Sequence, residues 1–144
     1  MNMRTIFLSI IALIAISQID ASISSAMAVE RLQPGLWEST VTRSPMPAQT
    51  SRQCISTQAA MSVNGDHGQI KAAIDTENAK NGCVTKSVEI DGPRIRFAMT
   101  CSGAETISDL TYSGTASEGT MTTKMPGGKA MTMEVRSIRI SDCP

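Results

Sequence analysis

The most restrictive feature of this sequence is a series of short segments, over residues 84–140, in which apolar and polar residues alternate. Alternation with a period of two places the apolar side chains on one face of a β-strand. Asp91-Gly92 and Pro126-Gly127-Gly128 separate such segments and are typical of tight hairpin turns. With a further strand predicted at residues 35–42, the pattern indicates a mainly β domain. We expect an antiparallel meander of about seven strands, either a curved sheet or a small up-and-down barrel.

Residues 56–82 interrupt the β pattern. Within them, Ile70, Ala73 and Ile74 recur at helical spacing, and Gly82 follows as a suitable helix-terminating residue. The sequence therefore predicts one short helical excursion, which would pack across one face or opening of the β structure.

The N-terminus has the organisation of a signal peptide. Arg4 precedes an apolar run over residues 6–16, and Ala26-Met27-Ala28 places small residues before a cleavage site. The apolar run is shorter than the roughly 20 residues that a membrane-spanning helix needs. We therefore expect a signal peptide over residues 1–28, cleaved after Ala28. A single domain over residues 29–144 would follow, not membrane-spanning and located in the bacterial periplasm.

All four cysteines, Cys54, Cys83, Cys101 and Cys143, lie in the predicted mature domain. An even number of cysteines after a signal peptide predicts a disulfide framework, here two bonds formed in an oxidising compartment. A zinc site is disfavoured because the sequence has no C-x-x-C pair and a single histidine.

The expected hairpin register restricts how these cysteines can pair. A two-residue turn at Asp91-Gly92 would put Cys83 opposite Thr100, on the other face from Cys101, which excludes a bond between Cys83 and Cys101. Two pairings remain. Cys54–Cys83 with Cys101–Cys143 is preferred over Cys54–Cys101 with Cys83–Cys143, because it closes the helical excursion at its base.

A resemblance to a known family rests on two sets of residues. One is the Gln33-Pro34-Gly35-Leu36-Trp37-Glu38 element; the other is the four-cysteine framework, in which Cys54 opens a Thr-Gln-Ala-Ala stretch and the last cysteine lies in Ser141-Asp142-Cys143. In these features the chain resembles the bacterial secreted domain-of-unknown-function family 3617 over essentially its whole mature length. The resemblance implies a small periplasmic β domain, and it supplies neither an established activity nor catalytic residues.

Charge and composition argue against nucleic acid as a partner. The chain has 13 Lys and Arg residues against 13 Asp and Glu residues, and only 3% of its residues are aromatic. It therefore lacks both the basic surface that attracts phosphates and the aromatic residues on which bases stack.

Candidate catalytic residues are few. His67 is the one histidine, beside Asp66 in a glycine-rich segment, and no Gly-x-Ser-x-Gly element or reactive cysteine accompanies it. We expect a protein that is not an enzyme and needs no cofactor, with a small hydrolase as the less favoured alternative.

A methionine-rich hairpin suggests a second alternative, Cu(I) binding. Soft thioethers select Cu(I), but methionine also fills irregular cores in sequences that are poor in aromatic residues. The candidate ligands are Met121, Met125, Met131 and Met133.

The favoured hypothesis is a non-catalytic binding or envelope-accessory role, with a small apolar ligand or an envelope protein as the partner. Trp37, Phe97 and Met99 are the expected wall of a ligand site, although Trp37 would equally serve to fill one end of the core. A ligand site requires an apolar void inside the β structure. A filled core would leave a protein partner instead.

Overall fold

The computed structural model describes residues 29–144, so the predicted signal peptide lies outside the described residues. Two helices are present in this part of the chain, α1 (Thr57–Asn64) and α2 (His67–Lys80). The strands are β1 (Gly35–Arg43), β2 (Met46–Ile55), β3 (Cys83–Asp91), β4 (Arg94–Cys101), β5 (Ala104–Tyr112), β6 (Ala116–Lys124) and β7 (Ala130–Ser141).

The strands form one open antiparallel sheet in the order β2-β1-β7-β6-β5-β4-β3. This arrangement confirms the predicted β meander of about seven strands. Of the two expected forms it is the sheet, not the barrel, because β2 and β3 lie at opposite edges.

The predicted helical excursion consists of two helices because two separate N-caps lie within it. The Ser56 hydroxyl accepts a hydrogen bond from the Ala59 amide at the start of α1. Asp66 starts α2 with a capping box: its carboxylate accepts from the Gln69 amide, and the Gln69 side chain accepts from the Asp66 amide. Each cap satisfies amides that a helix start leaves unpaired, so a new helix begins after Gly65.

Both helices pack on the same face of the sheet, which we call the inner face. Ala60 of α1 packs against Trp37 of β1, and Ile70 of α2 lies beside Ile95 of β4. The core is small for a domain of this length. Among the described residues, the buried apolar side chains are Leu32, Trp37, Ala60, Ile70 and Ile95.

The segment before β1 fastens α1 to the rest of the domain. The Asn64 side chain accepts hydrogen bonds from the Arg31 and Leu32 amides at 2.8 Å and donates to the Leu32 carbonyl at 2.7 Å. The Arg31 guanidinium, only 6% exposed, donates to the carbonyls of Val63, Gly65 and Gly92. It thus joins the end of α1 to the β3–β4 turn.

The predicted register of the β3–β4 hairpin is wrong. Its turn is centred on Gly92-Pro93, with Asp91 opposite Arg94, and not on Asp91-Gly92. Gly92 adopts a left-handed φ of 52°, and the proline ring fixes the next residue. A β-bulge at Lys86 then shifts the pairing by one residue and places Cys83 opposite Cys101.

The predicted pairing of the cysteines is corrected accordingly. Two disulfides are present, but they join Cys83 to Cys101 and Cys54 to Cys143, with Cα–Cα distances of 4.3 and 5.5 Å. The preferred pairs Cys54–Cys83 and Cys101–Cys143 are therefore wrong. The bond that the register had excluded forms because the later turn and the bulge together move Cys83 to the position directly opposite Cys101.

Candidate ligand-binding cavity

A cavity of about 220 Å³ lies between the helices and the inner face of β4 and β5. Apolar side chains dominate its lining, with polar groups among them. The lining residues are Ser62, Val63, Ile70, Ala73, Ile74, Glu77, Asn78, Ile95, Phe97, Leu110 and Tyr112.

One face of α2 supplies the helical side of the cavity. Ile70, Ile74 and Asn78 are spaced four residues apart and therefore project from the same side of the helix. Asn78 is buried and donates a hydrogen bond to the Thr85 hydroxyl on β3 at 2.9 Å. This contact fixes the last turn of α2 to the edge of the sheet.

The opposite wall comes from cross-strand pairs on the inner face. Ile95 of β4 lies opposite Leu110 of β5, and Phe97 follows two residues later on the same face. Tyr112 closes this side, and burial raises the pKa of its hydroxyl above the ordinary value. A neutral hydroxyl in apolar surroundings suits an uncharged ligand.

Glu77 is the one charged residue among those that line the cavity. Glu77 has a side chain that is 67% exposed, and it forms an ion pair with Lys80 at 3.2 Å. Its carboxylate is thus solvated, which leaves the interior of the cavity to apolar contacts.

Of the three residues predicted to form a ligand wall, only Phe97 lines this cavity. Trp37 is 2% exposed, packs with Leu32 and Ala60, and donates its indole N–H to the Gln33 carbonyl at 2.9 Å. It therefore fills the core, the alternative role that the sequence left open. Met99 lies on the inner face opposite Thr106, outside the cavity lining.

The methionines predicted as copper ligands are only partly brought together. Met121 on β6 lies opposite Met133 on β7, and Met131, two residues before Met133, lies on the same face of the sheet. Met125 lies beyond β6 with 47% of its surface exposed. The Arg43 guanidinium donates to the Met131 sulfur at 3.3 Å, and this positive charge disfavours a cation at the same sulfur.

The remaining predicted polar candidates have structural contacts. Asp66 uses its carboxylate as the N-cap of α2, and His67, the first residue of that helix, has its Nε2 atom 3.4 Å from the Val88 carbonyl. Within residues 29–144, no group of three or more His, Cys, Asp or Glu side chains is arranged to bind a metal ion.

The sequence patterns contained most of this lining without indicating the cavity. The helical spacing of Ile70 and Ile74 and the alternation of Leu110 and Tyr112 were each apparent. Which strands α2 covers depends on the order of strands in the sheet, and no local pattern specifies that order.

In the part of the chain that the structure describes, no helix is long and apolar enough to cross a membrane.

Comparison with known proteins identifies a family only. No curated protein and no solved structure matches the chain. The sequence model of a family described as "Protein of unknown function (DUF3617)" matches residues 32–143, which include both disulfides and every strand and helix described above. The chain therefore belongs to the DUF3617 family.

Proposed function

We propose that this protein is a non-catalytic binding protein of the periplasm that holds a small apolar ligand between α2 and the inner face of β4 and β5. The observation that carries the proposal is the cavity of about 220 Å³, whose walls are mainly isoleucine, leucine, phenylalanine and alanine. Ligand sites are typically concave and mostly apolar, with a few polar groups that orient the ligand. The cavity is at the small end of such sites, so it suits a small molecule or one end of a longer one.

The position of the cavity also supports binding. Its lining side chains Ile74, Phe97 and Leu110 are only half-buried, so a ligand would remove further apolar surface from water. Such burial is favourable by roughly 25 cal/mol for each Å² of apolar surface. Ser62 and Glu77 contribute a hydroxyl and a carboxylate to the lining, and these polar groups would orient the ligand.

The location in the periplasm is supported by the two disulfides. Both bonds are formed in the structure, and disulfides persist in oxidising compartments outside the cytoplasm. A cleaved signal peptide over residues 1–28 would deliver the chain there.

The test is to fill the cavity without disturbing the sheet. Ala73 lines the cavity, whereas Ala72 is its exposed neighbour on the same helix. Ala73→Phe should weaken binding of a neutral apolar dye, Nile red, by at least about tenfold, and Ala72→Phe should change it by less than about twofold. Fluorescence titration of the purified mature protein measures both affinities.

Equal dye affinity in wild-type protein and Ala73→Phe would overturn the location of the site. Native mass spectrometry of protein purified from the periplasm tests the proposal without a chosen probe. A bound small-molecule mass that disappears in Ala73→Phe and persists in Ala72→Phe is the expected result. Its presence in all three proteins would place the bound molecule elsewhere.

A further inference from the structure

A line of side chains crosses the inner face of the sheet from β4 to β7. Phe97 on β4 lies opposite Ser108 on β5, which lies opposite Met121 on β6, which lies opposite Met133 on β7. Since direct cross-strand neighbours project to the same side of a sheet, these four residues form one continuous row. We call it the methionine row.

The methionine row connects two cavities. Phe97 lines the helix–sheet cavity described above. At the other end, Met133 lines a second cavity of about 130 Å³ together with Val41, Arg43 and Met46. From β4 to β1 there are four inter-strand steps, which corresponds to about 19 Å at ~4.8 Å a step.

The row has the character of an apolar surface that adapts to its contacts. Phe97, Met121 and Met133 are half-buried, while the Ser108 between them is 1% exposed. Methionine side chains are flexible and polarisable, so they can follow the outline of an alkyl chain. Ser108, Met121 and Met133 are not among the residues that line the helix–sheet cavity, so the row leaves this cavity at Phe97.

Arg43 stands at the far end of the row and forms no ion pair with any of the residues that the structure describes. Arg43 as a whole is half-buried, and its guanidinium donates to the sulfurs of Met131 and Met46, its hydrogen-bond acceptors among the described residues. A thioether is a weak acceptor, unlike the carboxylates that pair with Arg52 and Arg94. Arg43 thus offers an uncompensated positive charge at the end of an apolar path.

From this arrangement we infer that the ligand is a long-chain carboxylate. The inference rests on the proposed function and specifies its ligand class. The end of the alkyl chain occupies the helix–sheet cavity, the middle lies along Met121 and Met133, and the carboxylate pairs with Arg43. The opposite orientation is disfavoured because it would bury the carboxylate in the helix–sheet cavity, whose mostly apolar lining contains no lysine or arginine. An arginine can hold a carboxylate through two parallel charge-assisted hydrogen bonds, which gives both affinity and orientation.

The experiment compares palmitate with its neutral methyl ester, each titrated into the purified mature protein and followed by native mass spectrometry. Arg43→Gln should weaken palmitate binding by about tenfold or more. It should leave methyl palmitate within about twofold of wild type. Arg43→Lys keeps the charge and should recover most of the palmitate affinity. The matched control is Arg136→Gln, on the exposed outer side of β7, which should change neither ligand.

Each other result overturns the inference. If palmitate and its methyl ester bind equally and Arg43→Gln affects neither, the carboxylate has no partner at Arg43. If Arg43→Gln weakens both ligands alike, the residue acts through packing alone. If neither ligand binds, long-chain carboxylates are not the ligand class. In all three cases the Nile red titration with Ala73→Phe decides separately whether the apolar cavity is a binding site.

Discussion

The two disulfides close loops of very different length, and this difference predicts their separate contributions to stability. Cys54 and Cys143 are 89 residues apart, whereas Cys83 and Cys101 are 18 apart. In the chain-entropy model the longer loop stabilises the folded state by about 4.6 kcal/mol and the shorter one by about 3.2 kcal/mol. Both act mainly by restricting the unfolded chain.

The perturbation is a pair of double variants, Cys54→Ser/Cys143→Ser and Cys83→Ser/Cys101→Ser. The first should lose about 1.4 kcal/mol more of the free energy of unfolding than the second. Urea titration of the mature protein under non-reducing conditions measures both losses, with the wild-type protein as reference.

The geometry of the sheet adds a local expectation. Cys54–Cys143 joins the end of the edge strand β2 to the C-terminus, next to the β1–β7 pairing. Cys83–Cys101 joins directly opposed residues of a hairpin that its ladder already holds. Losing the first bond therefore releases the C-terminal residues from β2, whereas losing the second leaves a hairpin that its ladder still holds.

Two results would refute this reasoning. A non-reducing digest with Cys54 linked to Cys83 would show that the framework itself is different. With the framework intact, a larger loss from Cys83→Ser/Cys101→Ser than from Cys54→Ser/Cys143→Ser would contradict the loop-length argument.

Two further predictions concern an ion pair of the sheet and the packing at two glycines, one in β6 and one in α2. The Arg94 guanidinium, hydrogen-bonded to Asp109, holds the pKa of that carboxyl below its ordinary value. The contribution of this ion pair to the free energy of unfolding is therefore complete above about pH 4, the ordinary carboxyl pKa in the unfolded chain. It is lost as the pH falls through the lower pKa of the folded state. The stability difference between wild type and Asp109→Asn should shrink over this range in urea titrations; a constant difference would contradict the ion pair. A Cβ at Gly119 would overlap the Asp109 carbonyl, so Gly119→Ala should lose about 2–4 kcal/mol by the same assay. Gly68→Ala in α2 has room for its Cβ and should gain up to about 1 kcal/mol, and equal effects at both glycines would refute the packing argument.

The alternating pattern predicted the strands well but could not fix the register of the β3–β4 hairpin. With the observed turn at Gly92-Pro93, each residue of β3 next to the turn lies opposite a β4 residue two positions later than a turn at Asp91-Gly92 would give. A shift of two positions leaves every side chain on the same face of the sheet. The hydrophobic pattern therefore cannot distinguish them. The bulge at Lys86 then changes the parity for Cys83, and it is visible only once the strands are paired.

The candidate site was less predictable than the fold for a related reason. Each wall of the cavity is a periodic apolar face within its own helix or strand. The two walls meet only because the helical segment connects β2 at one edge of the sheet to β3 at the other and so crosses the inner face. Trp37 was the most conspicuous candidate because it is the single tryptophan, yet its size made it the side chain that fills the core.

The helical layer is fastened at both ends, and this bears on the proposed binding of a ligand. Asn64 and Arg31 fix the end of α1 through hydrogen bonds to backbone groups, and Asn78 fixes the last turn of α2 to Thr85. Between these points Ala73, Ile74, Phe97 and Leu110 of the lining are half-buried, and these apolar side chains form no hydrogen bonds to the sheet. A frame held in this way needs little ordering when a ligand enters, so less of the interaction energy is lost to conformational entropy. In the arrangement proposed above, the ligand is held at one end between helix and sheet and follows the methionine row from this cavity to Arg43.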